Sequence, residues 1–139
     1  MPEPGLSNLQ FGDEIPSLTT APIARVTLAL FAGASGDHNP IHVDIDFARE
    51  AGMDDVFAHG MLSMAYVGRM LTNAVPPEAL RSFQVRFVAI THIHDRLTCT
   101  GTVIEKFEQD GEKRLRLRVA AADQNGEIKV KGEAVVAEF

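Results

Sequence analysis

Two short runs hold the residues best suited to chemistry. One reads Ser35-Gly36-Asp37-His38-Asn39-Pro40-Ile41-His42 and the other Ala58-His59-Gly60-Met61. Asp37 and His42 stand five positions apart across a segment stiffened by Pro40. A loop can aim both side chains into one cleft, whereas a regular strand would send them to opposite faces. A carboxylate beside an imidazole gives two groups that exchange protons near neutral pH. Adding water to a double bond conjugated with a thioester needs that arrangement. One group orients and deprotonates water for attack at the β-carbon, and a proton must reach the α-carbon. The enolate oxygen also needs a donor. Backbone N–H groups at a helix start near Gly60 suit that role, because helix N-termini favour anions. Glycine also lets a ligand come close to the backbone. The same residues fit purely structural roles: Asp37 capping a turn, His42 hydrogen-bonded in place, Gly60 opening a helix. On spacing alone the structural account is the more economical one.

These runs need elements to hold them. Leu28, Leu30, Phe31 and Ala34 recur at helical spacing and predict a helix over Arg25–Ser35, with Gly36 as its C-terminal stop. Asp37–Val43 reads as a loop, since the residue before Pro40 is pushed out of helical geometry. Asp44 is a good N-cap for a short helix over Ile45–Ala51, ended by Gly52. His59–Val75 predicts a longer helix whose apolar residues fall on every side, with Arg69 its one charge. A helix apolar all round is buried in protein or lipid, and this one falls short of the roughly 20 residues a span requires.

The rest of the chain can wrap it. Phe83, Val85 and Phe87 alternate with Gln84 and Arg86 over Arg81–Ile90. Leu115, Leu117 and Val119 alternate with Arg114, Arg116 and Arg118. Both patterns mark half-buried antiparallel strands. Leu97–Phe107 and Ile128–Phe139 complete four strands in series, with Asp110-Gly111 and Asn125-Gly126 as hairpin turns. Residues 1–22 read as an extended arm carrying one strand near Glu14–Thr20. A helix followed by a meander that curls around it is an α+β architecture.

The 139 residues fit one domain. A net charge of −6 argues against a nucleic-acid surface, which needs clustered Lys and Arg. Cys99 is the single cysteine, so no internal disulfide can form, in keeping with a reducing compartment. Met1–Gly5 has neither the basic region nor the apolar run of a secretory signal, so a cytoplasmic protein with no membrane contact is the expectation.

The run from Phe31 to His42 closely resembles the signature of the MaoC-like, or R-specific enoyl-CoA hydratase, family: an aromatic residue, then Ser-Gly-Asp-x-Asn-Pro-x-His. The resemblance continues through Phe47-Ala48, Ala58-His59-Gly60-Met61, Arg86-Phe87 and Thr100-Gly101-Thr102-Val103, from about Phe11 to the end. It implies a single hot-dog domain over residues 1–139, in which a long buried central helix lies in a curved antiparallel sheet. It also implies reversible hydration of trans-2-enoyl thioesters to (R)-3-hydroxyacyl thioesters. Asp37 and His42 would hold the water and shuttle its proton, and the Gly60 amide would polarise the thioester carbonyl. Asn39 would orient a catalytic group or the substrate, Ser63 would line the site near the acyl chain, and His59 would support the helix entrance or face the substrate. No cofactor and no metal are implied. The chain is also similar to the catalytic subunit of mycobacterial 3-hydroxyacyl-carrier-protein dehydratases. That leaves open CoA or acyl carrier protein as carrier, and homodimer or heterodimer with another hot-dog subunit as assembly. A dimer is expected either way, because one such sheet leaves an edge and an apolar cleft uncovered.

Two other functions share this fold: an acyl thioesterase, often using one carboxylate, and a non-catalytic acyl-binding subunit of a hot-dog heterodimer. The joint presence of Asp37, Asn39, Pro40 and His42 argues against both. Many relatives carry a Gly-Asp turn where this chain has Thr91-His92-Ile93-His94-Asp95-Arg96. His92 and His94 could ligate a metal only with a third ligand nearby, and otherwise form a polar surface turn. The methionines of the long helix read as core filler. The three arginines read as a solvated strand face, Cys99 as a buried strand residue and His38 as solvent-facing.

Overall fold

A computed structural model of the chain describes residues 6–138. The first five residues of the expected arm, and Phe139 of the expected last strand, lie outside that range. The elements are β1 (Leu18–Thr19), α1 (Arg25–Ser35), α2 (Ile45–Glu50), α3 (Gly60–Ala74), β2 (Leu80–Phe87), β3 (Thr98–Gln109), β4 (Glu112–Ala122) and β5 (Ile128–Ala137). Single 3-10 turns cover Leu6–Asn8, Pro40–His42 and Pro77–Ala79.

The five strands form one antiparallel sheet in the order β1-β3-β4-β5-β2. Only β3, β4 and β5 follow one another as a meander. The sequence places β2 in series with β3, but β2 crosses to the far edge and pairs with β5, Phe83 opposite Ala134. The segment between β2 and β3 is long enough to make that crossing. Register shifts interrupt the β2–β5 ladder between Leu80 and Ser82 and the β3–β4 ladder between Val103 and Glu105. Such bulges bend a strand and curve the sheet. At Gly132 of β5 any side chain would collide with the Gln84 carbonyl of β2, so glycine is what lets the edge strand pack there.

The two hairpin signals resolve differently. Asp110 and Gly111 both have positive φ, 53° and 76°, as a two-residue primed turn requires. Asn125 does not. The turn there is built by Asp123, whose Oδ1 accepts from the Asn125 and Glu127 amides, and only Gly126 is left-handed, at φ 82°.

Helix α3 lays Val67, Met70 and Leu71 on the concave face of the sheet against Val103, Leu115, Leu117, Val119 and Val136. A second cluster, Ile23, Leu28, Ala48, Val56, Ala58, Leu62 and Leu97, packs α1 and α2 against the start of α3. Half-buried Tyr66 touches both. The curved sheet around a long central helix is as expected, and so is an apolar cleft left uncovered. Five strands cover one side only, which leaves Met61 54% exposed and Ala65 exposed, with Met64 and Gly68 half-buried. No helix among the described residues is long and apolar enough to cross a membrane.

Candidate active site

Asp37 is aimed by the end of α1. Gly36 takes a left-handed conformation, φ 78°, and returns its N–H to the Ala32 carbonyl at 3.0 Å. This cap turns the chain sharply, which glycine permits at little steric cost. The Asp37 amide then donates to Ser35 Oγ (3.2 Å), and Asp37 Oδ1 accepts from the Asn39 amide (3.3 Å). Asn39 Oδ1 in turn accepts from the Ile41 amide at 3.1 Å, capping the turn Pro40–His42. Two consecutive side-chain turns thus fix the path from Asp37 to His42. The sequence reading of this stretch as a loop holds, with one 3-10 turn inside it.

His42 points inward and is 7% exposed, while the Asp37 side chain is about half exposed. His42 Nδ1 lies 2.7 Å from the Phe57 carbonyl. A carbonyl only accepts, so Nδ1 carries the proton and Nε2 presents a lone pair. That Nε2 lies 4.0 Å from Asp37 Oδ2. The gap is too long for a direct hydrogen bond and suits a single water bonded to both.

His59, the residue before α3, lies beneath this pair. Its ring stacks on His42 with centroids 3.9 Å apart and meets Phe31 edge-on at 4.9 Å. Its Nε2 donates to the Asp37 backbone carbonyl at 3.2 Å, while Nδ1 is buried with no hydrogen-bond partner. Burial, and then the neighbouring His42, push the His59 pKa below the ordinary imidazole value. A neutral His59 therefore braces both catalytic candidates, one through its ring and the other through its backbone. Contact with substrate is not what its buried position favours.

Gly60 opens α3 in the next position, where helix N–H groups lack intrahelical acceptors. A cavity of about 370 Å³ adjoins it, lined by Phe57, Ala58, Gly60, Ser63, Phe87, Val88, Ala89, Ile90, Thr91 and Val130. Ser63 is buried and its Oγ lies 3.2 Å from Thr91 Oγ1, so it lines this cavity from a fixed rotamer. On the Asp37 side a second groove, about 480 Å³, runs past Phe31, Ser35, Met61, Met64, Ala65, Gly68 and Phe83. The two openings flank the start of α3, one lined by Gly60 and the other by Met61 and Asp37.

Asp37, His42 and His59 place their ligand atoms within 4.8 Å of one another. His42 Nδ1 is committed to the Phe57 carbonyl and His59 Nε2 to the Asp37 carbonyl, so each ring has one nitrogen already used in the fold. The set fits a shared water better than a metal. His92 and His94 belong to no such cluster among the described residues, and both are exposed, His94 with φ 69°. Arg114 pairs with Glu112, and Arg116 with Glu105 and Glu133, which accounts for two of the three arginines as structural. Burial pushes the Cys99 thiol up to about 11, so it is no nucleophile.

Sequence reasoning brought together Asp37, Asn39, His42, His59, Gly60 and Ser63, and the fold places them around one site. It missed Phe57, whose backbone carbonyl sets the His42 tautomer, and Thr91, whose hydroxyl and carbonyl hold Ser63 and Ala58. A backbone acceptor has no signature in residue type. The Arg25–Asp55 fork (2.8 and 2.6 Å) ties α1 to the segment leading into Phe57, and its hydrogen bonds hold the Asp55 carboxyl down at about 2.

A curved antiparallel sheet holding one central helix, with this dyad at the helix entrance, is the hot-dog architecture. Residues 9–125 match the MaoC like domain family, and the chain belongs to it. It is 34% identical over 116 residues to an (R)-specific enoyl-CoA hydratase of Rhodospirillum rubrum, covering 82% of this chain and 78% of that protein. The unliganded R-hydratase PhaJ1 from Pseudomonas aeruginosa superposes with a TM-score of 0.83 at 31% identity, over 96% of this chain and 84% of that one. The (R)-hydratase from Aeromonas caviae gives 0.81 at 25% identity, over 93% and 96%.

Proposed function

We propose that this chain reversibly hydrates trans-2-enoyl thioesters of CoA or acyl carrier protein to (R)-3-hydroxyacyl thioesters. The family and the named hydratase relatives support the reaction class. The observation that carries the mechanism is the 4.0 Å gap between Asp37 Oδ2 and His42 Nε2, with the Nδ1 proton already committed to the Phe57 carbonyl. Water in that gap donates one proton to Asp37 and another to the Nε2 lone pair. His42 takes its proton as the oxygen attacks the β-carbon. The electron pair moves through the α-carbon to the thioester oxygen, where the Gly60 amide stabilises it. The captured proton then passes to the α-carbon, so the elements of water add across the double bond and nothing else is consumed. Asn39 and His59 hold the pair in register, and Ser63 shapes the cavity beside Gly60.

The exposed apolar face of α3 and the unpaired edge of β2 support a dimer, with a second copy or another hot-dog subunit as the cover.

The test mixes purified protein with a short trans-2-enoyl-CoA and follows loss of the conjugated-thioester absorbance. Asp37→Asn, at a half-exposed site, is expected to keep the fold and lose about 10²–10⁴ of kcat. Wild-type turnover retained in the folded variant would sink the dyad. Free thiol released from saturated acyl-CoA would favour a thioesterase instead. Tight acyl binding with no turnover, alone or beside a hot-dog partner, would favour a non-catalytic subunit.

A further inference from the structure

A buried ion cluster lies behind the cavity beside Gly60, next to the lining residues Val88 and Val130. Lys129 of β5 is 1% exposed, an unusual position for a lysine. Its Nζ is ringed by Asp95 (3.9 Å), Asp123 (3.5 Å) and Glu127. Its backbone carbonyl accepts from the Val88 amide at 2.9 Å. Lys129 thus grips the segment between β2 and β3 at both ends: Val88 through its main chain, Asp95 through its side chain.

Asp95 passes the constraint inward. Its Oδ2 accepts from the His92 amide at 2.8 Å, and its Oδ1 from Gln124 Nε2 at 3.1 Å. His92 pairs with Phe57 in an isolated antiparallel bridge, and the Thr91 carbonyl accepts from the Ala58 amide at 2.9 Å. Phe57 is the residue whose carbonyl takes the His42 Nδ1 proton, and Ala58 lies two positions before Gly60. A continuous path therefore runs from Lys129 to His42: the 3.9 Å ion pair to Asp95, the Asp95–His92 hydrogen bond, the Ala58–Thr91 backbone bond beside the Phe57–His92 bridge, and the Phe57–His42 bond.

We propose that Asp95 and Lys129 are positioning residues for the reaction, fixing the tautomer and orientation of His42 through the 88–97 segment and the Phe57 carbonyl. Neither touches the site. Their role resembles that of outer hydrogen-bond partners that orient a ligating or catalytic histidine. The carboxylate opposite Asp95 supplies an internal control. Asp123 contacts the same Lys129, but its Oδ1 bonds only its own hairpin, at the Asn125 and Glu127 amides. Loss of Asp123 weakens the ion cluster without releasing the 88–97 segment.

The inference rests on the assignment of His42 as a catalytic group, so the primary readout is independent of turnover. The His42 ring nitrogens and Nδ1 proton are followed by NMR in full-length wild type, Asp95→Asn and Asp123→Asn. In Asp95→Asn the Nδ1 proton signal is expected to move or broaden and the tautomer to become mixed. In Asp123→Asn it is expected to stay, although both variants melt lower. In the enoyl-CoA assay Asp95→Asn is expected to lose about 10- to 100-fold in kcat with little change in KM. Lys129→Arg, which keeps the charge, is expected to recover more of that rate than Lys129→Met. An unmoved His42 signal in folded Asp95→Asn, or equal rate losses in the Asp95 and Asp123 variants, would overturn the positioning role. A displaced His42 signal with unchanged turnover would uphold the coupling and overturn the catalytic assignment of His42.

Discussion

Replacing Gly60 with alanine separates what this residue does for the fold from what it does for the reaction. A Cβ there would sit 3.2 Å from Phe87 Cδ1 and 3.3 Å from Cε1 and Cγ. Carbon atoms pack best at about 3.5–4.0 Å, so the ring must give by a few tenths of an ångström. Phe87 is 50% exposed and has room to swing outward. Against that strain, alanine for glycine in a compatible helical position gains about 0.4–1 kcal/mol through the unfolded chain. The two effects oppose each other, so the melting temperature should stay within about 2–4 °C of wild type, the shift of 1 kcal/mol at this size. The reaction has no such compensation. The methyl group stands beside the amide to which the proposed mechanism brings the thioester oxygen, and movement of Phe87 alters the cavity it lines. The N–H remains but the oxygen's approach to it is blocked, and the loss of one such donor, about 10²–10³ in kcat, sets the expected scale. A thermal melt and the enoyl-CoA absorbance assay on one preparation measure both. A stable Gly60→Ala protein within about threefold of wild-type kcat/KM would refute the placement of the carbonyl at this amide.

Two other outcomes follow from the geometry. His59 has its pKa lowered in the fold by burial and by His42, so the unfolded chain binds its proton more readily. Stability from this group is fully present above the unfolded value of about 6.5 and is lost as pH falls through the folded one. The melting temperature should therefore fall between pH 7 and pH 5 by more in wild type than in His59→Gln, and equal slopes would remove His59 as the cause. On the open face of α3, Ala65→Glu places a charge between Met64 and Gly68, beside Phe83. It should convert a dimer to monomer in sedimentation analysis, and an unchanged assembly would show that the partner covers a different face.

The local structure was legible because short-range rules decide it. Helix α1 spans the residues its spacing predicts, Asp44 caps α2 through the Asp46 and Phe47 amides, and Gly36 and Gly52 are left-handed stops. Asp37, Asn39 and His42 were legible because their motif is carried by consecutive residues. The strand order was not. Alternating patterns mark β2 as half-buried, but a pattern does not say that its neighbour is β5 instead of β3. Likewise Asn125-Gly126 announces a turn without showing that Asp123 will bind the amides.

The sequence by itself determined which residues could do chemistry, where helices start and stop, and which face of each strand is apolar. Those depend on side-chain type, backbone sterics and periods of a few residues. Tertiary structure decided the protonation geometry. His42 has its proton on Nδ1 because the Phe57 carbonyl lies 2.7 Å away, and Phe57 stands opposite His92, whose amide bonds Asp95, the partner of Lys129. Backbone carbonyls are alike in every residue, so only folding gives one of them a particular partner. The open face of α3 is likewise a tertiary fact. Its apolar residues declare that it must be covered, and the sheet's curvature decides which of them this chain covers itself.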